Sequence, residues 1–396
     1  MTVPAPRVRR RPRTPGRLLP LLLATALLLP VAFLVVQAHQ FVDNDREVVG
    51  RERLGVEYLR ALGPVTDALV DAQSAAVTGR SLRRDTLDQA VERAAAVDAR
   101  IGGELSTSER WAGLRAKLEA LPERSLADPE TAFTVYGEVT DLLLALHGKV
   151  RETSGLIRDP GVDAYFLQDG VAEEMPEAMV AAGRLTDLAV LMNRRPTAER
   201  IQSLSQLATL RAAALQPAND LASNLRAVVE NTESADLGAN VLTPFDAYQR
   251  AVETMALHSQ PVDRAGTIDT TRLLAARNEA QQAAKQLHPV LLDEIDRLLV
   301  ERLDGLDRDR LLILGAGGLA ALLLVGLAVS GWMSRPRDTS AASAGGGVPA
   351  GGVVPPPPSG IQWGAVGSRP VEPPPALQPV GQVHEPDRWR PFDAAR

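Results

Sequence analysis

The side chains best suited to touch a small molecule are crowded into one stretch, "GLIRDPGVDAYFLQDG", residues 155–170. Arg158, Asp159, Asp163 and Tyr165 together offer charge and a hydroxyl to a small polar ligand, beside the densest aromatic cluster of the chain, Tyr165-Phe166. The same residues also make a purely architectural corner between two helices. Asp159 suits an N-cap, and Pro160 suits the first helical turn, where its missing N–H would be unpaired anyway. Arg158 sets a favourable positive charge at the end of the helix before it.

No other constellation points to catalysis. The five histidines, His39, His147, His258, His288 and His384, form no metal-ligand spacing, and His147 reads as an ordinary helix-edge histidine. Glu173-Glu174 and Asp293-Glu294 are adjacent pairs whose side chains diverge by about 100° on a helix, so each reads as a solvated face rather than an acid/base couple. "GAGGLA" at residues 315–320 lies inside an apolar run with no strand before it, which argues against a dinucleotide loop. No nucleophile has a neighbouring base. The chain has no cysteine, so disulfides and thiolate metal sites are impossible. The expectation is a non-enzymatic protein without cofactor or metal.

The elements that must position these residues are helices. Hydrophobic content is 45% but aromatic content only 4%, a balance that favours an all-α fold. Val135, Val139, Leu142, Leu143, Leu146, Val150 and Leu156 recur at steps of three and four, and the same holds from Leu273 to Leu306, through Leu287, Leu291, Ile295, Leu298 and Leu299. Long helices are expected near 39–80, 83–103, 126–158, 162–193, 197–232, 238–259 and 267–310, with a shorter one around Trp111. The first and last should run antiparallel in an elongated bundle. Two stacked bundles would also fit the helix count.

Two apolar runs set the topology. Residues 18–37 and 311–333 carry no charge and are long enough to span a bilayer. Six arginines precede the first, and Arg335 and Arg337 follow the second, which places both termini in the cytoplasm. A cleaved signal peptide ending near Val36-Gln37-Ala38 is the competing reading of the first run. The expected divisions are a basic N-terminus (1–17), a first transmembrane helix (18–37), an extracytoplasmic helical domain (38–310), a second transmembrane helix (311–333) and a cytoplasmic tail (334–396). The outer segment carries 31 Arg or Lys against 44 Asp or Glu, an acidity that argues against nucleic acid as a partner. Small residues at Gly317/Ala321 and Gly326/Ser330 suit close membrane-helix packing and a homodimer. The tail is rich in Pro, Gly and Ser and is expected to be disordered. Its "VVPPPPSG" and "RPVEPPPALQP" segments suit either polyproline II contact with a cytoplasmic signalling protein or a passive solvated tail.

The stretch "LIRDPGVDAYFLQDGVAEEMPEAMVAAGRL" (156–185) resembles the Asp-Pro-x-x-Asp-x-Tyr-x-Leu segment, followed by Leu-Pro or Met-Pro, of helical sensor domains in bacterial transmembrane receptors. Those domains precede histidine kinase, chemotaxis or diguanylate cyclase outputs. "RLGVEYLRALGPVTDAL" (53–69) is similar to their first outer helix. Asp159, Pro160, Asp163, Tyr165, Leu167, Asp169 and Pro176 match, and Gly161 and Ala164 depart. A His-Arg pair common in such domains is absent from "DAQSAAVTGR", where Gln73 and Gly79 remain, and no output domain follows the second apolar run. The resemblance implies a membrane-anchored sensor for a small polar ligand, read out by a separate cytoplasmic partner. The other reading is a membrane scaffold with a degenerate sensor-like domain and a tethering tail.

Overall fold

The computed structural model describes residues 19–81, 83–121, 128–156, 162–231 and 235–333. The chain divides into two units, Met1–Arg335 and Pro336–Arg396. The second lies outside the described residues, and the expectations for the tail lie there with it.

The described residues are all-α, with no strand among them. Their helices are α1 (Leu19–Thr78), α2 (Arg84–Val97), α3 (Ser108–Glu119), α4 (Pro129–Ser154), α5 (Val162–Asp169), α6 (Met175–Arg194), α7 (Thr197–Gln202), α8 (Leu204–Asn231), α9 (Ala235–His258) and α10 (Thr270–Met333). Two π-helical turns, Asp98–Gly102 and Gly170–Glu174, follow α2 and join α5 to α6. The expected helices are present within a few residues except where an apolar run extends α1 and α10, where a π-helical turn interrupts 162–193, and where Ser203 divides 197–232 into α7 and α8.

Local chemistry explains the boundaries. Asp128 caps α4 by accepting from the Glu130 and Thr131 amides at 3.3 and 3.0 Å, and Pro129 fills the first turn. Gly155 ends the helix at φ 89°, a left-handed conformation that costs any other residue strain. The inward stripe of α4 is Ala132, Tyr136, Val139, Leu143, Leu146 and Val150. Leu142, expected in that stripe, is exposed instead, because Tyr136 and Leu143 set the face one position round the helix.

Four helices, α1, α4, α6 and α10, pack around the principal core, with α2 and α3 on the α1–α4 flank and α8 and α9 on the α6–α10 flank. A smaller core sits where α6, α8 and the start of α10 meet, around Leu185, Met192, Leu207 and Leu273. α1 and α10 run antiparallel as expected, and ion pairs cross their interface along its length. These join Arg46 to Asp307, Glu52 to Arg302 (3.7 Å), Arg53 to Asp296 (2.8 Å), Arg60 to Asp293 (2.6 Å), Asp67 to Lys285 (3.5 Å) and Asp71 to Arg277 (3.3 Å). Each step outward on α1 meets a step back on α10.

α1 has 60 residues and α10 has 64, so they run for about 90 and 96 Å without a break. Both are long and apolar enough to cross a membrane. Their apolar runs turn Leu27, Phe33, Leu34, Leu311, Leu322 and Leu327 outward, the opposite of a water-soluble helix. A Cβ on Gly317 would sit 3.2 Å from Val35 Cγ1, so this glycine lets the two runs of one chain approach closely. Gly326 has no such neighbour among the described residues.

Candidate functional site

A cavity of about 180 Å³ opens to the surface between the four core helices, lined by Arg60, Gly63, Pro64, Thr66 and Asp67 of α1, His147 of α4, Met175, Pro176 and Met179 of α6, and Ala284, Lys285, His288 and Pro289 of α10. Prolines from three helices meet here. Pro64 and Pro289 lie within their helices, and each removes an N–H that would have served the carbonyl four residues earlier. Those carbonyls belong to Arg60 and Lys285, both in the wall. Gly63 provides the room: a Cβ there would fall 2.8 Å from His288 Cε1.

His147 pairs with α1 through one ring nitrogen. Thr66 Oγ1 lies 3.1 Å from His147 Nε2 and 3.2 Å from the Leu62 carbonyl, and its one proton serves either of them. Nδ1 is buried and without a hydrogen-bond partner. Burial holds this imidazole neutral, its pKa lowered to about 3, with His288 adding to the effect. His288 is lowered to about 4 by burial and by the nearby Arg60 guanidinium. Both imidazoles are therefore neutral near pH 7, each with one donor and one acceptor nitrogen.

Asp67 faces them with the opposite shift. Burial raises its pKa to about 6, although the Lys285 ammonium opposes the rise. Its Oδ1 is buried without a hydrogen-bond partner. Among the described residues no group of three or more His, Cys, Asp or Glu could hold a metal ion.

A second polar layer lies farther out along α1. Gln73 Nε2 donates to Asp187 Oδ2 at 3.0 Å, Arg277 lies against Asp71, and burial raises Asp187 to about 6. Gln73 is thus bound up in the core. Gly79 at φ 77° makes the left-handed turn that ends α1.

Of the predicted site, Arg158 and Asp159 lie outside the described residues. Asp163 and Tyr165 fall on α5, with their side chains outside what the structure describes. Around that corner Leu156 and Leu167 are buried and Phe166 packs partly into the core. Arg151 holds the adjoining π turn through Asp169 (2.8 Å) and Glu173. None of the described corner residues lines the cavity.

Two expectations are corrected. His147 is a core residue, 2% exposed, because it lies on the inward stripe of α4 between Leu143 and Val150 and pairs its Nε2 with Thr66 of α1. The acidic pairs are not wholly solvated: Glu174 and Glu294 turn inward while Glu173 and Asp293 turn out. Glu174 accepts from Asn224 at 2.9 Å and is raised to about 7 by burial and by Asp169. The cavity itself went unread, although Gly63-Pro64, Met175-Pro176 and His288-Pro289, helix-interrupting pairs inside apolar periodicity, were its visible trace.

No protein-family model, curated protein or solved structure matches this chain.

Proposed function

We propose that this chain is a two-pass membrane sensor. Its helical domain, residues 38–310, faces outward, occupancy of the cavity shifts α10 against α1, and a separate cytoplasmic partner reads the shift. The observation that carries this reading is continuity: the two helices that supply most of the cavity wall are the two that run unbroken into the apolar segments. A change in register at Asp67 and Lys285 has no intervening loop in which to dissipate before Val35 and Gly317. The resemblance of residues 156–185 to receptor sensor domains supports the same reading. A homodimer and contacts through the proline-rich tail complete the proposal.

The natural absence of cysteine permits a direct test in membranes. Val35→Cys and Gly317→Cys, introduced together, should form a disulfide under mild oxidant. Adding Gly63→Val, which crowds His288 and collapses the cavity, should change the rate of cross-linking several-fold. An unchanged rate would defeat the sensor reading and leave a membrane scaffold.

A further inference from the structure

We propose that the cavity takes a small neutral aromatic molecule, a single ring with one short substituent, held among Met175, Pro176, Met179 and Ala284 with its polar end at the mouth. This names the ligand class of the sensor reading and rests on that reading for its role.

What a ligand can reach in this cavity is mostly carbon and sulfur, because most of the surface is apolar. The buried polar atoms of the wall do not change that. His147 Nδ1 and Asp67 Oδ1 have almost no accessible surface, so they lie behind the lining and present nothing to a guest. Met175 and Pro176 of α6 and Ala284 of α10 are buried and form the floor, with Met179 partly buried beside them. Arg60, Pro64 and Pro289 are exposed and mark the mouth.

Charge makes the class neutral. Arg60 is paired with Asp293 at 2.6 Å, and Lys285 with Asp67 and Asp71 at 3.5 and 3.9 Å. Each cation of the wall already has its carboxylate, so an ion of either sign would lose water and find no counter-charge left for it.

Size and chemistry narrow the class to one ring. At about 180 Å³ the cavity is smaller than the roughly 300–1,000 Å³ of ordinary ligand pockets, and close to the roughly 150 Å³ at which an apolar cavity accepts benzene. Thioethers favour aromatic rings, with the sulfur about 5 Å away, and Met175 and Met179 stand one turn apart on α6. Water against such a lining finds few partners, so a ring that displaces it gains affinity. Pro64 and Pro289 each remove one helical hydrogen bond beside the cavity, so the turns of α1 and α10 that flank the ring are weakly braced.

The test uses the full chain in lipid nanodiscs at about pH 7, where carboxylic acids are ionised and alkylamines protonated. Benzyl alcohol, benzylammonium, benzoate and cyclohexylmethanol are titrated by calorimetry, with the heat of empty nanodiscs subtracted. Benzyl alcohol should bind saturably, at least about tenfold tighter than either ion and several-fold tighter than cyclohexylmethanol. Ala284→Leu, which fills the floor, should weaken it at least about tenfold, and Met179→Phe, whose own ring takes the space, should do the same. Circular dichroism checks that each variant is folded. An ion or cyclohexylmethanol binding as tightly, affinity untouched by both variants, or no saturable binding of benzyl alcohol would overturn the proposal. If benzyl alcohol fails to bind while Gly63→Val still alters Val35–Gly317 cross-linking, the ligand class falls and the sensor reading stands. If it binds with the expected pattern while neither the ligand nor Gly63→Val moves cross-linking, the site stands and the sensor reading falls.

Discussion

Two buried polar sites on α1 lie a few turns apart and differ in one respect. At Tyr58 the network is closed: Tyr58 Oη donates to Asp98 Oδ1 at 2.8 Å and Thr107 Oγ1 donates to the same oxygen at 3.2 Å, so the α2–α3 hairpin is fastened to α1. At Asp67 the network is open, with a carboxylate oxygen and an imidazole nitrogen left bare beside a cavity. A complete network adds rigidity and needs nothing further, whereas an incomplete one beside open space leaves its layer less firmly held. This difference directs the functional reading to the Asp67 layer and leaves the Tyr58 knot a structural role.

The comparison breaks most severely at the closed site. Tyr58→Ala removes a fully buried ring and strands Asp98, and should cost about 3–5 kcal/mol, seen as a large drop in the thermal midpoint of the membrane-embedded chain. Gly63→Val at the open site should cost about 1–3 kcal/mol, because the added carbons overlap His288 in a packed interface.

Acid should act on the open site through its histidines. Their folded pKa values, about 3 and 4, lie below the ordinary 6.5. The stability they contribute is therefore complete above about pH 6.5 and is lost as pH falls toward 4, at up to about 1.4 kcal/mol per histidine per pH unit. His288→Gln should flatten that loss in a series of thermal midpoints taken from neutral to acid pH.

Asp67 runs the other way. Its folded pKa, about 6, lies above the ordinary 3.8, so the ionised group costs stability above about pH 6 and the cost disappears as pH falls through 6 toward 4. Asp67→Asn should raise the midpoint modestly at pH 8, and the gain should vanish by about pH 4. A gain that persisted at pH 4 would assign the effect to packing. The smallest effect belongs to the α1–α10 surface pairs: Arg60→Ala should change stability by only about 0–1 kcal/mol, since both Arg60 and Asp293 are solvent-exposed.

Much of this molecule was legible beforehand. The all-α class, nearly every helix, the two apolar runs and the antiparallel pairing of the first and last helices all follow from periodicity and hydropathy, which are local. The candidate site was another matter. Arg158, Asp159, Asp163 and Tyr165 attracted attention because they are close in sequence, and the structure describes neither the first two residues nor the side chains of the others. The cavity assembles Thr66 with His147 and Asp67 with Lys285 across four helices, and no spacing along the chain encodes such a meeting.

The sequence by itself determined where the helices form and which two are apolar enough to cross a membrane, because helix propensity, capping and the 3.6-residue stripe act between near neighbours. Only the tertiary structure decided that His147 is a core residue, that Glu174 and Glu294 turn inward, and that three prolines meet around one cavity. Those outcomes depend on which faces pack together and at what height, and a residue's protonation and hydrogen bonding follow from the partners that packing brings to it.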